Sequence, residues 1–318
     1  MRPLGLRVLV IVIALCPAFA SAEKIQRLGI LSPGSSEAIR RVTIPELARK
    51  GFVEGRNLII DEKLQVPASE LDQGARELLA LKPDAVIAVS APAVKALMAN
   101  TRSVPLVAAF ADDAVADGLV DSLSRPNGNV TGQSLGASEL SAKRIELLRE
   151  TVPAWSRFAV LASRTPSNAR QISSVRQMAD RLGVELIIAF ATDPSEYREA
   201  FATIVSKRAQ ALIVLSEPRF AGDATILAEL ALEARLPAIC EWDFMAREGC
   251  FLSFGPVNDD LRRRTAVFAA KILRGVATSE LPIEFPEKFE LVLNVRTARA
   301  LGIEVPTSLL LRADEVIE

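Results

Sequence analysis

Residues 157–191, RFAVLASRTPSNARQISSVRQMADRLGVELIIAFA, contain the pattern that decides the fold class of this chain. Two apolar runs, at 157–163 and 184–191, flank a segment whose apolar residues recur at helical spacing, namely Ile172, Val175, Ala179 and Leu182. We predict that Ser167 caps this helix and that Gly183 ends it. A strand, a helix and a second strand in this order form a βαβ unit, which joins two parallel strands.

The same alternation extends through most of the chain. Nine apolar runs are predicted strands, at 27–32, 57–61, 84–90, 104–110, 157–163, 184–191, 211–217, 237–240 and 251–254. Such runs are typical of parallel strands that are buried on both faces. The first group has four βα repeats up to about residue 133, and the second begins near Ser156, after a helix predicted at 138–151. The predicted fold class is therefore α/β, with two Rossmann-like lobes built on parallel sheets.

The first 22 residues are predicted to be a secretory signal peptide, cleaved near Ala22. Arg2 and Arg7 flank the start of an apolar run of about ten residues, which is too short to span a bilayer. Cys16 leaves a lipoprotein anchor open as an alternative, although Leu15 stands where a small residue normally precedes such a cysteine. We therefore expect an exported periplasmic protein that diffuses freely.

Composition narrows the function classes. Without the signal peptide the chain keeps 36 Lys and Arg against 39 Asp and Glu, so the charge does not indicate a nucleic-acid partner or an anionic membrane. The absence of histidine excludes Ser-His-Asp and Cys-His catalytic groups and His-based zinc sites. We expect no cofactor, no metal and no enzyme activity. An exported enzyme that uses a carboxylate pair, such as Glu217 and Glu241, is the alternative.

Cys240 and Cys250 remain after cleavage, and an oxidising compartment would permit them to pair. Cys240 ends one predicted strand and Cys250 starts the next, which would place them at opposite ends of a parallel sheet. Bridged cysteines need Cα atoms within about 7 Å of each other. We therefore predict two free, buried thiols.

Two further patterns have structural interpretations. Gly128, Gly132 and Gly136 lie in a polar stretch and are predicted to be turn glycines. The run Arg262-Arg263-Arg264 is predicted to be a solvated helix face, with a partner-docking patch as the alternative.

In open parallel sheets, ligands bind outside the carboxyl ends of the strands, so the residues just after each strand form the candidate site. Hydroxyls and free N–H groups at a helix start suit a ligand carboxylate, and an acid suits an ammonium group. An ordinary helix cap is the alternative interpretation at these positions. The first lobe offers Ser32, Pro33, Gly34, Ser35 and Ser36 after the first strand, Ser90 and Ala91 after the third, and Phe110 and Asp112 after the fourth.

The second lobe offers an equivalent set. Arg164 could pair with a carboxylate, and Glu217 or Glu241 with an amine. Trp242 could stack on a ligand or fill a core edge. No pair combines a nucleophile with a base, so the pattern favours binding over catalysis. The full candidate set here is Ser163, Arg164, Ser216, Glu217, Glu241, Trp242 and Phe254.

Short motifs are spread in order over nearly all of the mature chain. They are SPGS at 32–35, GFVEGRN at 51–57, SRPNGNVTG at 124–132, LSAKR at 140–144, FGP at 254–256, KILRG at 271–275, LP at 281–282, FELVLN at 289–294 and ADEVI at 313–317. Together they resemble the ABC-transporter substrate-binding proteins of the tryptophan/tyrosine-binding type.

The resemblance implies a type I periplasmic-binding-protein architecture with a ligand cleft between two hinged lobes. The N-terminal lobe would comprise residues 23–133 and about 256–285, and the C-terminal lobe about 134–255 and 286–318. A small molecule, either an amino acid or an aromatic or carboxylate-bearing solute, would be captured by hinge closure and delivered to an ABC permease in the inner membrane. We expect a monomer. An exported ligand sensor that presents its closed form to a receptor is the alternative.

Three departures from the family pattern lie near the expected cleft. Ala114 stands where the family commonly has proline, Cys240 where it often has tyrosine, and the first helix is shortened around residues 39–47. An aromatic amino acid is therefore not assumed as the ligand.

Overall fold

The computed structural model describes residues 24–34, 38–110, 112–126 and 128–318, and of Phe110 it describes the backbone alone. The predicted signal peptide, with Cys16, lies outside these ranges. No helix within them has the length and apolar character needed to cross a membrane.

The first sheet contains five parallel strands in the order β2-β1-β3-β4-β5. Its helices begin with a π-helical segment at Ile39–Thr43, which continues into the first α-helix. A 3₁₀ turn at Ala68–Glu70 precedes the second helix. The strands are β1 (Gln26–Leu31), β2 (Leu58–Lys63), β3 (Ala85–Val89), β4 (Leu106–Phe110) and β5 (Val130–Ser134), and the helices are α1 (Ile44–Arg49), α2 (Leu71–Ala80) and α3 (Ala91–Asn100).

The second sheet has seven strands in the order β12-β11-β10-β9-β8-β6-β7. Only the pairing of β10 with β11 is antiparallel. The strands are β6 (Arg157–Ala162), β7 (Glu185–Phe190), β8 (Ala211–Val214), β9 (Ala238–Cys240), β10 (Leu252–Pro256), β11 (Phe289–Asn294) and β12 (Glu315–Ile317).

The remaining helices connect these strands or cover the sheets. The long ones are α4 (Ala137–Thr151), α5 (Pro166–Leu182), α6 (Pro194–Ser206), α8 (Ala224–Glu233) and α10 (Asn258–Leu273). The short ones are α7 (Pro218–Gly222), α9 (Asp243–Arg247), α11 (Val295–Leu301) and α12 (Thr307–Leu310), with a 3₁₀ turn at Thr278–Glu280. The prediction of two parallel α/β units is confirmed, although β5, β11 and β12 are additions to the predicted strands.

The two ends of α5 show where local sequence signals predict a helix boundary correctly and where they do not. Gly183 has a left-handed φ of 64° directly after the helix, as predicted. The predicted N-cap at Ser167 is wrong, because Thr165 caps the helix and its hydroxyl accepts a hydrogen bond from the Asn168 N–H. Pro166 occupies the first helical turn, where its missing N–H has no cost. The cap therefore lies before the proline.

Both sheets are covered on their two faces by apolar side chains. Leu161 and Val214 belong to a cluster on one face of the second sheet, and Val160 and Ile213 to a cluster on the other. In the first sheet, one face has a cluster that includes Leu31 and Ala88, and the other face has a cluster that includes Ile30 and Ile87. Burial on both faces explains why these strands have continuous apolar sequences.

The chain passes between the two sheets three times. It leaves β5 for α4, which packs on the second sheet, and leaves β10 for α10, which packs on the first. After the 3₁₀ turn it returns to β11, and Glu284 on this return pairs with Gln133. The lobe boundaries drawn near residues 133, 256 and 285 stay predictions, and these three connections lie close to them.

The prediction of free thiols is wrong, because Cys240 and Cys250 form a disulfide with Cα atoms 6.5 Å apart. The error came from assuming that β9 and the strand after it, each predicted with four residues, lie side by side in full register. β9 has three residues, and Cys240 pairs with Ser253, which is only three residues beyond Cys250. The carboxyl end of β9 therefore lies beside the amino end of β10, and this brings the two cysteines together.

Gly132 is not a turn glycine as predicted but lies within β5, opposite Ala108 of β4. Its φ is 141°, and a methyl group there would overlap the backbone carbonyl of Ala108. We expect Gly132→Ala to lower the free energy of unfolding by about 3 kcal/mol or more, through strain and overpacking. Urea denaturation would measure this loss.

Gly222→Ala is the matched control. Gly222 has no positive φ, and no atom of the described residues outside its own helical segment lies within 4 Å of the added methyl group. The free energy of unfolding of the Gly222→Ala protein should stay unchanged or rise slightly. Equal stability of the Gly132→Ala and wild-type proteins would contradict the close approach of β4 and β5.

Candidate ligand-binding cleft

A cavity of about 350 Å³ lies between the carboxyl ends of the two sheets. Strand ends of the first sheet and loops of the second form opposite walls, and α10 contributes part of the first-sheet side. Seven of the residues predicted from the sequence line it, namely Ser32, Gly34, Ser90, Ser216, Glu217, Glu241 and Trp242. Their contact with a ligand stays a prediction.

Other predicted residues lie beside this cavity or outside the described ranges. Ser163 is buried and donates a hydrogen bond to Glu217 at 2.8 Å. Arg164 is exposed, pairs with Glu196 and lies over the Phe190 ring. Pro33, Ala91 and Phe254 are not among the described residues that line the cavity. Phe110 is described by its backbone only, and Ser35 and Ser36 are outside the described residues.

The loop after β1 brings the first wall close to the second. The hydroxyl of Ser32 accepts a hydrogen bond from the Gly34 N–H at 3.0 Å, which turns the chain tightly. A side chain on Gly34 would lie 3.8 Å from the Pro218 carbonyl at the start of α7. The two walls are therefore nearly in contact at this point.

Ser90, after β3, has a conformation that is unusual for a side chain-bearing residue. Its φ is 88°, and its hydroxyl is buried, has no hydrogen-bond partner in the part of the chain that the structure describes, and does not cap α3. The helix-cap interpretation therefore does not apply here. Backbone strain together with an unpartnered hydroxyl at a cavity wall is a feature of binding sites.

On the second wall, Arg144 and Glu241 are buried side by side. Arg144 has no exposed surface, and its Nη2 lies 3.7 Å from Glu241 Oε1. This is too long for a hydrogen bond, and neither atom has a hydrogen-bond partner among the described residues. Arg144 is held elsewhere, because its Nε donates to the Phe254 carbonyl at 2.8 Å and its Nη1 to the Ser216 hydroxyl at 3.1 Å.

Burial shifts the titration of the cleft carboxyls. It raises the pKa of Glu241, and the nearby Arg144 charge offsets only part of that rise. Burial also raises the pKa of Glu217, where the hydrogen bond from Ser163 opposes the shift and repulsion from Glu241 adds to it. Burial lowers the pKa of Arg144 as well. The wall therefore carries charges that are poorly solvated.

Two amides from α5 fix the loops that follow β6 and β8. Asn168 accepts a hydrogen bond from the Ser163 N–H at 2.7 Å and donates to the Ser216 carbonyl at 3.0 Å. Gln171 accepts from the Ser216 N–H at 2.9 Å. Both amide side chains are fully buried. They hold Ser216 and Glu217 at the cleft edge.

Arg262 was missed as a site residue by the sequence analysis. The prediction of a solvated face fits Arg263, which pairs with Asp260, but it is wrong for Arg262, which lines the cavity. Arg262 contacts Asn258 at 3.3 Å, and no carboxylate in the described part of the chain pairs with it. Burial lowers the pKa of this guanidinium. It offers an uncompensated positive charge on the first-sheet side.

Arg144 was also not predicted as a site residue, although the sequence places it on an apolar face of a helix. It shares one face of α4 with Leu140, Leu147 and Leu148, all of which are buried. A charged residue at the centre of an apolar helix face is rarely buried without a partner. The same signal applies to Asn168 and Gln171, which lie on the buried face of α5.

Asp112 makes a contact between the lobes rather than lining the cavity. Its carboxylate accepts hydrogen bonds from Arg170 Nε at 2.7 Å and from the Ser138 hydroxyl at 2.8 Å. Arg170 also makes a two-pronged ion pair with Asp117, at 2.8 and 3.1 Å. The loop after β4 is thus bound to α4 and α5 of the second lobe.

Two α/β lobes, three crossings and a polar cavity between the sheet ends define a type I periplasmic-binding-protein fold. A model of the ABC transporter substrate binding protein family matches residues 24–317. The chain belongs to this family. Its members bind small molecules outside the membrane and work with an ABC permease.

Relatives from several bacteria share the sequence and the fold. A tyrosine-binding protein of Clostridioides difficile strain R20291 is 25% identical over 273 residues, which cover 85% of this chain and 78% of that protein. A conserved domain protein from Vibrio cholerae is 26% identical with a TM-score of 0.86, over 92% of this chain and 100% of that chain. The ABC domain from Streptococcus pneumonia, solved in complex with L-Trp, is 22% identical with a TM-score of 0.81, over 91% and 100%.

Removal of either charge of the Arg144–Glu241 pair should destabilise the protein, but with different pH dependence. In Glu241→Gln the buried guanidinium stays charged but Glu241 no longer titrates, so we expect a loss of stability at about pH 5 that becomes smaller at about pH 8, where ionisation of Glu241 destabilises the wild type. In Arg144→Met the remaining Glu241 can protonate. Its pKa in the folded protein lies above that in the unfolded chain, so stability is retained at low pH and lost as the pH rises through the folded pKa.

Chemical denaturation at about pH 5 and pH 8, each compared with wild type, would measure this difference. The double variant Arg144→Met/Glu241→Gln should lose less stability than the sum of the two single variants. Additive losses that do not vary with pH in either variant would mean that the two charges do not interact.

Proposed function

We propose that this protein captures a zwitterionic small molecule, an amino acid or a close relative, by closing its two lobes around it. The observation that carries the proposal is a set of three buried polar atoms that have no hydrogen bond among the described residues. Ser90 Oγ and Glu241 Oε1 belong to residues that line the cavity, and Arg144 Nη2 lies beside Glu241. Buried polar atoms cost about 1–3 kcal/mol each when unpaired. A ligand that satisfies them would stabilise the closed form.

The distribution of charge supports a ligand with two opposite charges. Arg262 and the Ser90 hydroxyl on the first-sheet side can bind a carboxylate, and Glu241 and Glu217 on the second wall can accept hydrogen bonds from an ammonium group. Trp242 and Phe244 also line the cavity and supply apolar surface for a side chain. The volume of about 350 Å³ lies at the small end of ligand pockets, which fits a molecule of amino-acid size.

The proposal includes the place and partner of the protein. The predicted signal peptide supports export to the periplasm, and family membership supports delivery to an ABC permease in the inner membrane. We propose that the exported protein is a freely diffusing monomer. We propose a binding role without catalysis. Burial accounts for the raised pKa values of Glu217 and Glu241, and each faces a fixed polar partner, Ser163 or Arg144.

The ligand class can be tested by calorimetry on the mature protein, residues 23–318. L-tryptophan, L-tyrosine, L-phenylalanine and L-leucine supply both charges, 3-phenylpropionate lacks the amine, and phenethylamine lacks the carboxylate. We expect at least one amino acid to bind and both single-charge analogues to bind far more weakly, because each leaves a buried wall group unpaired. Failure of every amino acid to bind, or equal binding of 3-phenylpropionate and phenylalanine, would contradict the proposal.

Variants of the first-sheet side would assign its role. Ser90→Ala and Arg262→Gln should each weaken amino-acid binding by about tenfold or more, through loss of a hydrogen bond to a charged group. Arg263→Gln is the matched control, since Arg263 lies next in sequence but pairs with Asp260 and does not line the cavity. If Arg263→Gln weakens binding as much as Arg262→Gln, the carboxylate site is elsewhere.

The ionic contact of Arg170 with Asp112 and Asp117 should favour the closed arrangement of the lobes. We expect Arg170→Gln to shift the ligand-free protein toward open forms, seen as a larger radius of gyration in small-angle X-ray scattering, and to weaken ligand binding by a few-fold. Arg176→Gln, on the exposed face of the same helix, should have neither effect. Unchanged scattering and affinity in Arg170→Gln would show that this contact does not control closure.

A further inference from the structure

The disulfide encloses much of the second wall of the cleft. Cys240 and Cys250 are ten residues apart in sequence. Glu241, Trp242, Phe244 and Glu248 lie between them, and all four line the cavity. Both cysteines are buried and neither lines the cavity, so the bridge acts on the site through the loop that it closes.

The two halves of this loop are held in different ways. The second half is bound to the rest of the lobe, because Asn294 donates to the Ala246 carbonyl at 2.8 Å and Thr297 to the Gly249 carbonyl at 3.0 Å. In the first half, the carbonyls of Trp242 and Phe244 accept hydrogen bonds from Met245 and Glu248, which are members of the same loop. The β9–β10 pairing ends at Cys240. The cleft residues therefore begin where the ladder stops, and the bridge ties this point to the anchored half.

We propose that the Cys240–Cys250 disulfide is a positioning element of the binding site, which holds Glu241 and Trp242 in their binding geometry and makes ligand affinity sensitive to the redox state of the pair. The inference rests on the proposed function of the cleft. A dithiol reductant would transfer two electrons and two protons to the bridge, yielding two cysteine thiols and the cyclic disulfide of the reductant. The loop would then keep only its hydrogen bonds and packing.

Reciprocity gives the proposal a second consequence. If reduction lowers the affinity for a ligand by a given factor, bound ligand must make the disulfide harder to reduce by the same factor. If the bridge only stabilised the folded lobe, bound ligand would protect it from reduction only to the extent that ligand binding stabilises the folded protein.

The test compares the oxidised protein with the protein reduced by dithiothreitol. Hydrogen exchange by mass spectrometry should show faster exchange of the backbone amides at 241–244 after reduction, with a smaller change at 245–250. The affinity for the amino acid that binds best should fall on the order of tenfold, since the ligand must now order the loop. Cys240→Ala/Cys250→Ala should show the same weakening and no response to dithiothreitol.

Val175→Ala controls for general destabilisation. Val175 lies in the core on the opposite face of the same sheet from Cys240 and Trp242. This variant should lower the thermal midpoint but leave ligand affinity unchanged. If it weakens binding as much as reduction does, the effect of the bridge is only on stability and the inference is overturned.

The other outcomes are also decisive. Unchanged exchange at 241–244 after complete reduction would overturn the inference, and so would unchanged affinity. If the oxidised protein binds none of the amino acids, the proposed function fails, and the exchange comparison alone decides whether the bridge orders the loop.

Discussion

Parallel strands of one sheet all end at the same edge, and this constraint determines where the polar chemistry of the molecule can lie. Most strands are buried on both faces, so their side chains are mainly apolar, and many polar groups lie in the loops that follow the strands. Two sheets whose carboxyl edges face each other gather these loops around one cavity. The cleft is thus a consequence of the topology, and its specificity depends on the few side chains that reach it.

The second wall shows what it takes to keep such side chains in place. Charges as deeply buried as Arg144 and Glu241 are costly unless they are paired and hydrogen-bonded, and this pair lacks the direct hydrogen bond. The surrounding groups compensate in part, since Ser216 and the Phe254 carbonyl bind the guanidinium. Asn168 and Gln171 in turn fix Ser216. What remains unsatisfied after these contacts is the part that a ligand can complete.

The sequence was informative wherever the controlling signal was local. Strand runs, the end of α5 at Gly183 and the position of polar loops could all be predicted, because each depends on residues close in the chain. Arg144 and Arg262 could not be placed in the same way. Arg262 lines the cavity and Arg144 lies beside Glu241, and both extend from helices whose orientation depends on the chain crossing between lobes. The sequence around each arginine therefore does not show which side chains it contacts. β11 and the disulfide escaped prediction for a related reason, since a reversed strand and a three-residue strand both change distances that a regular βα pattern implies.

The energetics of closure follow from how the two walls are joined. A ligand shifts the lobes toward the closed form only by the difference in its interactions with the two arrangements, so contacts to one wall alone add affinity without driving closure. Arg170, with Asp112 and Asp117, already provides an interaction across the lobes without any ligand. Such a contact lowers the free-energy cost of closure that a ligand must offset. It also raises the population of the closed form in the ligand-free protein, so the ligand-free and ligand-bound proteins differ less in conformation. Because Arg170 is partly exposed and its ion pairs are therefore weakened by solvent, the larger share of the closing energy falls to the buried atoms that lack partners at the cleft. In the proposed mechanism, the charges of the walls, rather than the contact between the lobes, determine which solute holds this protein closed.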